Sequence, residues 1–484
     1  MKKINFLAVL LGGFLSAQTT FTIVKDIYPG AVGSNPVNFT VYNGKLYFAA
    51  SSTVNGTSIG NELWESDGTE AGTKLVSDII PGQSSSSPSN LTVFNDKIYF
   101  TASNMVNGSS TAGLLLSYDA TNGVKTISTT VKFGANLTTV GNKLYLKASN
   151  TAVTPNTNRL FSVDSNDQVT LTDDNLNVNV IGSIGSKVLA NAQLATAPNP
   201  FLTQLFGFDG TSTDLIKNIN PSTSSYPTNF YYSPALGKTF FNANGGNGAE
   251  PWMTDGTEAG TSIVKDINVS GPSAGSGPQN FMEYKGKVYF SASSGLEYGT
   301  ELWVTDGTES GTMIVKDIVP DTPGSFPEKM VVYKDKLYFI ITNGSIKQLW
   351  ESDGTDAGTK ILYTVSSVNA LVVYNDNLYF AGRVSNSDVI GSELYKVNLD
   401  DANLAVSDVS NSGVKIYPNP SKGTFLINNV KKGTFEMYDF SGRKVEDGKI
   451  TDGKVSTNVN SGNYILRIKS DDNKINETAK VIVQ

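Results

Sequence analysis

Pairs of short apolar runs separated by a turn dipeptide recur along most of the chain. They read FTVYNGKLYFAA (39–50), LTVFNDKIYFTA (91–102), LTTVGNKLYLKA (137–148), IGSIGSKVLANA (181–192), YYSPALGKTFFNA (231–243), FMEYKGKVYFSA (281–292), MVVYKDKLYFII (330–341) and LVVYNDNLYFAG (371–382). Turn pairs such as Asn43-Gly44 and Asn95-Asp96 between apolar runs are a hairpin signal, so each block predicts two antiparallel strands, A and B. Strand B sets Leu46 and Phe48 on one side and Tyr47 and Ala49 on the other. Both faces are apolar, as expected for a sheet covered on both sides.

A second pattern follows the hairpins. ELWESDGTEAGTKLVSDI (62–79) recurs as EPWMTDGTEAGTSIVKDI (250–267), ELWVTDGTESGTMIVKDI (301–318) and QLWESDGTDAGTKILYTV (348–365), with worn copies at 114–127, 159–172 and 204–219 and a stub ELYKVNLD at 393–400. These runs predict strands C and D. The anchors Tyr47, Tyr99, Tyr145, Leu189, Phe240, Tyr289, Tyr338 and Tyr379 are spaced by 41 to 52 residues. Four strands at that period are the signature of a propeller blade. The fold class is therefore all-β, a β-propeller of eight four-stranded blades, or seven if the fourth unit is an elaboration of its neighbour. The last unit lacks strand D, whereas Phe21–Ile27 reads as a strand D with no A, B or C before it. The N-terminal strand is expected to close the ring, which removes a free sheet edge.

Composition narrows the chemistry. The 484 residues contain no cysteine and no histidine, and 17% are charged. Disulfides, thiolate nucleophiles, Cys-based metal sites and the usual imidazole base are all excluded. Thr19 to Ser407 holds 23 basic and 35 acidic side chains, while Asp408 to Gln484 holds 12 and 9. An acidic body argues against nucleic acid, whose binding depends on Lys and Arg neutralising phosphates.

The repeat letters have local readings. In Asp67-Gly68-Thr69-Glu70-Ala71-Gly72-Thr73 the aspartate suits a turn that accepts a backbone N–H, and Gly68 and Gly72 suit positive φ. The same reading covers Asp255, Gly256 and Gly260, Asp306, Gly307 and Gly311, and Asp353, Gly354 and Gly358. One central carboxylate per copy lacks the dense ligands of a calcium loop, so no metal or cofactor is expected. Trp64, Trp252, Trp303 and Trp350 share one position of strand C and read as packing between blades, with a sugar-stacking platform as the alternative. Glu62, Glu250, Glu301 and Glu393 precede the aromatics; a carboxylate pair can hydrolyse glycosides, but a residue repeated around a ring is expected to point outward. The variable B-to-C loops (51–61, 102–111, 190–203, 293–300) and the Pro- and Gly-rich D-to-A linkers share one face, which places a ligand there near the axis.

Lys2 and Lys3, the apolar run Ile4–Leu15 and the small residues Ser16 and Ala17 before Gln18 match a signal peptide, with cleavage expected after Ala17. The run of about 12 residues is short of the roughly 20 that span a bilayer. No transmembrane span is expected. The domains are then 1–17 signal peptide, 18–404 propeller, 405–412 linker and 413–484 a small β-sandwich.

The four near-complete copies resemble the ELWxxDGT-repeat proteins, secreted bacterial chains, from Phe21 to about Leu404. VKIYPNPSKGTFLINN (414–429), YDFSGRKV (438–445), SGNYILRI (461–468) and KVIVQ (480–484) resemble the type A C-terminal sorting domain of type IX secretion substrates, on Tyr417, Pro418, Asn419, Pro420, Gly423, Gly462 and Tyr464. That resemblance implies recognition by the type IX machinery, passage across the outer membrane, and release or surface attachment. The expected function is a non-enzymatic secreted scaffold for binding or adhesion, with a glycan or surface protein as ligand. A carboxylate-based carbohydrate hydrolase or lyase and a structural matrix component are the alternatives.

Overall fold

The computed structural model describes residues 20–484 apart from 55, 151–156, 195–201, 272, 321–322, 386–388, 400–415, 418–420, 439–443, 473–475 and 484. Every regular element among the described residues is a strand. The chain divides into two compact units, Thr19–Asn398 and one built on Leu399–Gln484.

Each A and B pair forms as a hairpin, for example Val37–Tyr42 with Lys45–Val54, in register Val41 to Leu46 and Tyr42 to Lys45. The turn residues Asn43 and Gly44 have φ of 46° and 68°, and Asn95 and Asp96 have 46° and 54°. Two successive positive φ angles match the right-handed twist of the flanking strands. Residues 46–50 of strand B are buried on both faces, and Phe48, Phe100, Phe241, Phe290, Phe339 and Phe380 are fully buried at one shared position. Each such ring contributes about 1.5–3 kcal/mol of apolar burial.

The strands of Thr19–Asn398 assemble in chain order, A-B-C-D, into four-stranded antiparallel sheets. Units two and three are the exception. The single strand Gly123–Val140 is D of unit two in its first half and A of unit three in its second, which fuses them into one seven-stranded sheet. Each opening strand contacts the opening strand of the following unit, and Ser367–Tyr374 of the last contacts Val37–Tyr42 of the first. The propeller-like ring thus returns to its start. Closure is also visible in hydrogen bonds from the tyrosines that end four of the A strands, Tyr42, Tyr284, Tyr333 and Tyr374, to the next A–B turn. Tyr42 Oη donates to Asp96 O at 2.6 Å, Tyr333 Oη to Asp376 O at 2.9 Å, and Tyr374 Oη to Gly44 O at 2.6 Å.

Thr20–Lys25 pairs antiparallel with Glu393–Asn398 as the fourth strand of the last sheet. Lys25 then reaches the next unit, Nζ donating to Thr73 O at 2.8 Å.

One expectation about the loops changes. Residues 51–61 and 102–111 are largely extensions of the B–C hairpins, through Thr53 to Ser58 and Asn104 to Thr111 pairing. Thr, Ser and Val there favour continued pairing over a free loop. In the C-terminal unit, where a sandwich was expected, the described strands form one seven-stranded sheet. The hairpin at Thr451 and Lys454 carries the ladder across, and a bridge from Ser421 to Val483 brings its ends together. Phe425, Phe435, Met437, Val455, Leu466 and Ile468 form its core.

Candidate functional site

The four glutamates of strand C do not point outward. Glu62, Glu250, Glu301 and Glu393 are at most 1% exposed, and each binds the linker leading to the next inner strand. Glu62 accepts from Ile79 N at 2.9 Å, Ser86 N at 2.8 Å and Ser86 Oγ at 2.6 Å. Glu250 takes the same bonds from Ile267, Ser276 N and Ser276 Oγ, with Asn268 N added. Glu301 takes Ile318, Val319 and Ser325. Glu393 takes Ile27, Tyr28 and Ser34, and so anchors the N-terminal segment to the last unit. Burial pushes Glu301 and Glu393 up to about 7, while the donors pull the other way; Glu62 and Glu250 are raised for the same reason.

Unit four carries Gln204 at this position, and its linker changes to suit an amide. Oε1 accepts from Ile219 N and Ser225 Oγ, while Nε2 donates to Asn220 O at 2.8 Å and Thr223 O at 3.2 Å. Where the position is Leu114, Arg159 or Gln348, the link to the next inner strand is short or absent. The buried carboxylate or amide therefore goes with a long linker.

The serine partner belongs to a Ser-x-Pro triplet that lies outside the repeat letters read from the sequence: Ser34-Asn35-Pro36, Ser86-Ser87-Pro88, Ser225-Tyr226-Pro227, Ser276-Gly277-Pro278 and Ser325-Phe326-Pro327. The triplet follows Glu62, Glu250 and Glu301 by 24, 26 and 24 residues and Gln204 by 21, and it precedes Glu393, a spacing too uneven to join the repeat letters. In every triplet residue x has positive φ, 51°, 53°, 46°, 56° and 49° in that order. Proline then leads directly into the inner strand, so x stands at the mouth of the ring. Two positions further on, Asn38, Asn90, Asn229 and Asn280 also have positive φ and bond across to the next unit. Asn38 Nδ2 donates to Pro88 O at 3.0 Å, and Asn280 Nδ2 to Pro327 O at 3.1 Å. The frame is held on both sides of x. The side chain at x is free to vary, and Tyr226 and Phe326 are 60% and 40% exposed.

The turn signature lies at the opposite ends of the strands. Asp67 Oδ1 accepts from Thr69 N at 2.9 Å and Thr69 Oγ1 at 2.6 Å, and Gly72 N donates to Thr69 Oγ1 at 3.0 Å. Asp255, Asp306 and Asp353 do the same with Thr257, Thr308 and Thr355. These bonds hold all four carboxyls below their ordinary range. Gly68, Gly256, Gly307 and Gly354 have φ near 90°. Gly72, Gly260, Gly311 and Gly358 do not have positive φ; a Cβ on Gly72 would lie 2.0 Å from the Asp67 carboxyl, so space and not φ requires glycine there. Among the described residues no group of three carboxylates gathers so as to hold a metal ion.

Trp64, Trp252 and Trp303 are buried and Trp350 is partly buried. Each packs against the preceding unit, Trp64 with Tyr374, Tyr379 and Ala381, and Trp303 with Phe240. None is placed as an exposed stacking surface. In the C-terminal unit Tyr417 lies in the strand Ile416–Tyr417, and Gly462 opens the strand Gly462–Ser470. Tyr464 is buried, with Oη donating to Asn460 O at 2.7 Å. Pro418, Asn419 and Pro420 lie outside the described residues, as do Ala17 and Gln18.

The body is thus an all-β, propeller-like ring. Residues 415–484 match the family model of the secretion system C-terminal sorting domain. That domain marks a substrate of type IX secretion and implies placement at the cell surface or outside the cell. No curated protein matches the chain. Among solved structures, PorZ, an essential bacterial surface component of the type IX secretion system of Porphyromonas gingivalis, aligns at 13% identity and TM-score 0.43, over 97% of this chain and 70% of PorZ. The β-propeller domain of the Trilobed protease from Pyrococcus furiosus aligns at 12% identity and TM-score 0.41, over 71% of this chain and 99% of that domain. Puromycin hydrolase aligns at 12% identity and TM-score 0.43, over 75% of this chain and 61% of that one. Among the described residues no helix is long and apolar enough to cross a membrane.

Proposed function

We propose that the chain is an exported, non-enzymatic eight-bladed propeller that binds a surface or extracellular ligand at the mouth of the ring, on the linker face. Residues 1–17 act as the signal peptide, cleaved between Ala17 and Gln18, and 413–484 deliver the body to the type IX machinery. The ring of eight inner strands, counting Gly123–Val140 once, supports the blade number. The observation that carries the binding reading is the Ser-x-Pro frame. Repeated backbone, four buried carboxylates and the Gln204 amide hold five positions rigidly at one rim, and the residues displayed there differ: Asn35, Ser87, Tyr226, Gly277 and Phe326. A rigid frame presenting variable side chains is how scaffolds carry recognition. Aromatic residues are poorly suited to positive φ, and strain of this kind concentrates at functional sites. The hydrolase alternative loses its candidate carboxylates, since Glu62, Glu250, Glu301 and Glu393 are already bound by linker N–H groups.

The test is a glycan and surface-protein binding screen with the full chain, repeated with the Tyr226→Ser/Phe326→Ser double variant. Loss of a ligand without a fall in melting temperature supports the reading. Unchanged binding of every ligand moves the site away from the mouth. Self-assembly of the purified chain with no ligand bound favours a matrix role instead.

A further inference from the structure

Between units two and three the rim differs from every latched junction. Gly123–Val140 runs from one sheet into the next without a linker, and its ladder breaks where Lys147 pairs with Ala135 and Ser149 with Lys132. Phe133 and Gly134 are the two residues set opposite Ala148, a bulge that turns the Phe133 side chain out of the sheet. Phe133 has φ of 56° and is 54% exposed, a conformation and an exposure both unfavourable for a phenyl ring. Its ring is nevertheless braced. A Cβ on Gly113 would fall 2.4 Å from Phe133 Cδ1, so the ring lies against bare backbone that only glycine leaves open.

Beside the ring is an open cleft of about 290 Å³, lined by Phe133, Ser87, Asn90, Thr101 and Ser103 among others. Ser87 is residue x of the neighbouring triplet, so the cleft belongs to the same rim. Among the described residues no charged side chain lines it. Thr101 Oγ1 and Asn90 are fixed to one another, Asn90 Nδ2 donating to Thr101 Oγ1 at 3.1 Å and to Gly134 O at 3.4 Å. The amide is thereby oriented with its oxygen left as an acceptor, and hydroxyls stand on either side.

We propose that this cleft binds one ring of a neutral saccharide, with an apolar sugar face stacked on Phe133 and sugar hydroxyls paired to Ser87, Asn90 and Ser103. A pyranose presents an apolar C–H face and a rim of uncharged donors and acceptors, and the cleft offers one aromatic plane and a rim of uncharged donors and acceptors. An ionic ligand would leave its charge unpaired here. A flat apolar partner would bury the serine and asparagine groups without hydrogen bonds, at a cost for each. The inference rests on the reading of the rim as a binding face and assigns its ligand class at one junction.

The experiment is calorimetric titration of the full chain with maltohexaose, cellohexaose, chitohexaose and mannohexaose, and with polygalacturonate as a charged control. One or more neutral oligosaccharides should bind with Kd between about 10 μM and 1 mM, in the range where a small contact area places affinity. Phe133→Gly should weaken that binding at least tenfold while leaving the melting temperature unchanged or higher, because glycine relieves the backbone. Gly113→Val, which displaces the ring, should weaken it as well. Absence of binding by all four neutral sugars overturns the ligand class. Binding that survives Phe133→Gly but is lost in Tyr226→Ser/Phe326→Ser overturns the cleft and retains the rim. Binding that survives all of these substitutions overturns both.

Discussion

The junction after unit one and the junction after unit two make the same connection, from an outer strand to the next inner strand, by opposite means. After unit one, residues 78–88 loop out and are pinned from inside by buried Glu62. After unit two there is no loop, and Leu114 occupies the glutamate's place. The contrast shows that the repeat signature is two devices and not one. The Trp and Asp-Gly-Thr letters serve blade packing and the C–D turn, and they persist in unit seven although Gln348 has replaced the glutamate and the linker has shrunk to one residue. The glutamate and the Ser-x-Pro triplet serve the linker, and they persist at Glu393 in the last unit, which has neither tryptophan nor the turn.

The largest effect should come from breaking a latch. Glu301→Ala strands four donors, three backbone N–H groups and a hydroxyl, with about 1–3 kcal/mol at stake for each that stays unsatisfied. A loss of about 3–5 kcal/mol in urea unfolding is expected, against less than about 1 kcal/mol for Gln348→Ala, which has no linker to hold. Equal losses would dissolve the distinction between the two junctions. Glu393→Ala should match Glu301→Ala and also expose Phe21–Ile27 to proteolysis.

Trp303→Ala addresses the other device. Removing a buried indole between two units should cost about 3–5 kcal/mol, measured by the same unfolding. A small loss combined with lost ligand binding would reassign the residue to recognition.

Much of this architecture is legible in the amino-acid sequence. The hairpins are, because turn pairs such as Asn43-Gly44 dictate both register and twist. Ring closure is, because the last unit lacks a strand that the N-terminus supplies. The latch is not. It joins Glu62 to Ser86 across a linker with no periodicity of its own, and the repeated triplet shows only as Pro and Gly richness. Gly72 invites the usual reason for glycine, φ, when the constraint is the carboxylate folded over it. The fused strand is illegible because Phe133 and Gly134 interrupt a pattern that otherwise reads as two separate elements.

A smaller effect follows from pH. Burial raises the latch glutamates above the unfolded value, to about 7 at Glu301 and Glu393. Between roughly pH 4.5 and 7 the folded state then holds more protons than the unfolded one, so these groups lower stability as pH rises through that window and add nothing further above it. Denaturation midpoints taken across the window should fall with pH, and the slope should flatten in Glu301→Gln. A rising slope attributable to Glu301 would contradict the assigned cause. The smallest change is expected at the turn, where Asp306→Ala removes bonds to Thr308 and should cost about 1 kcal/mol.

The central claim is that a buried strand-C carboxylate and the serine of the following triplet act as one unit. A double-mutant cycle between Glu301→Ala and Ser325→Ala in the full chain measures this directly, by chemical unfolding at pH 8, where the carboxylate is ionised. The account predicts a coupling of at least about 1.5 kcal/mol, the scale of a hydrogen bond to a charged group. Additive losses, with coupling within about 0.3 kcal/mol of zero, would contradict it.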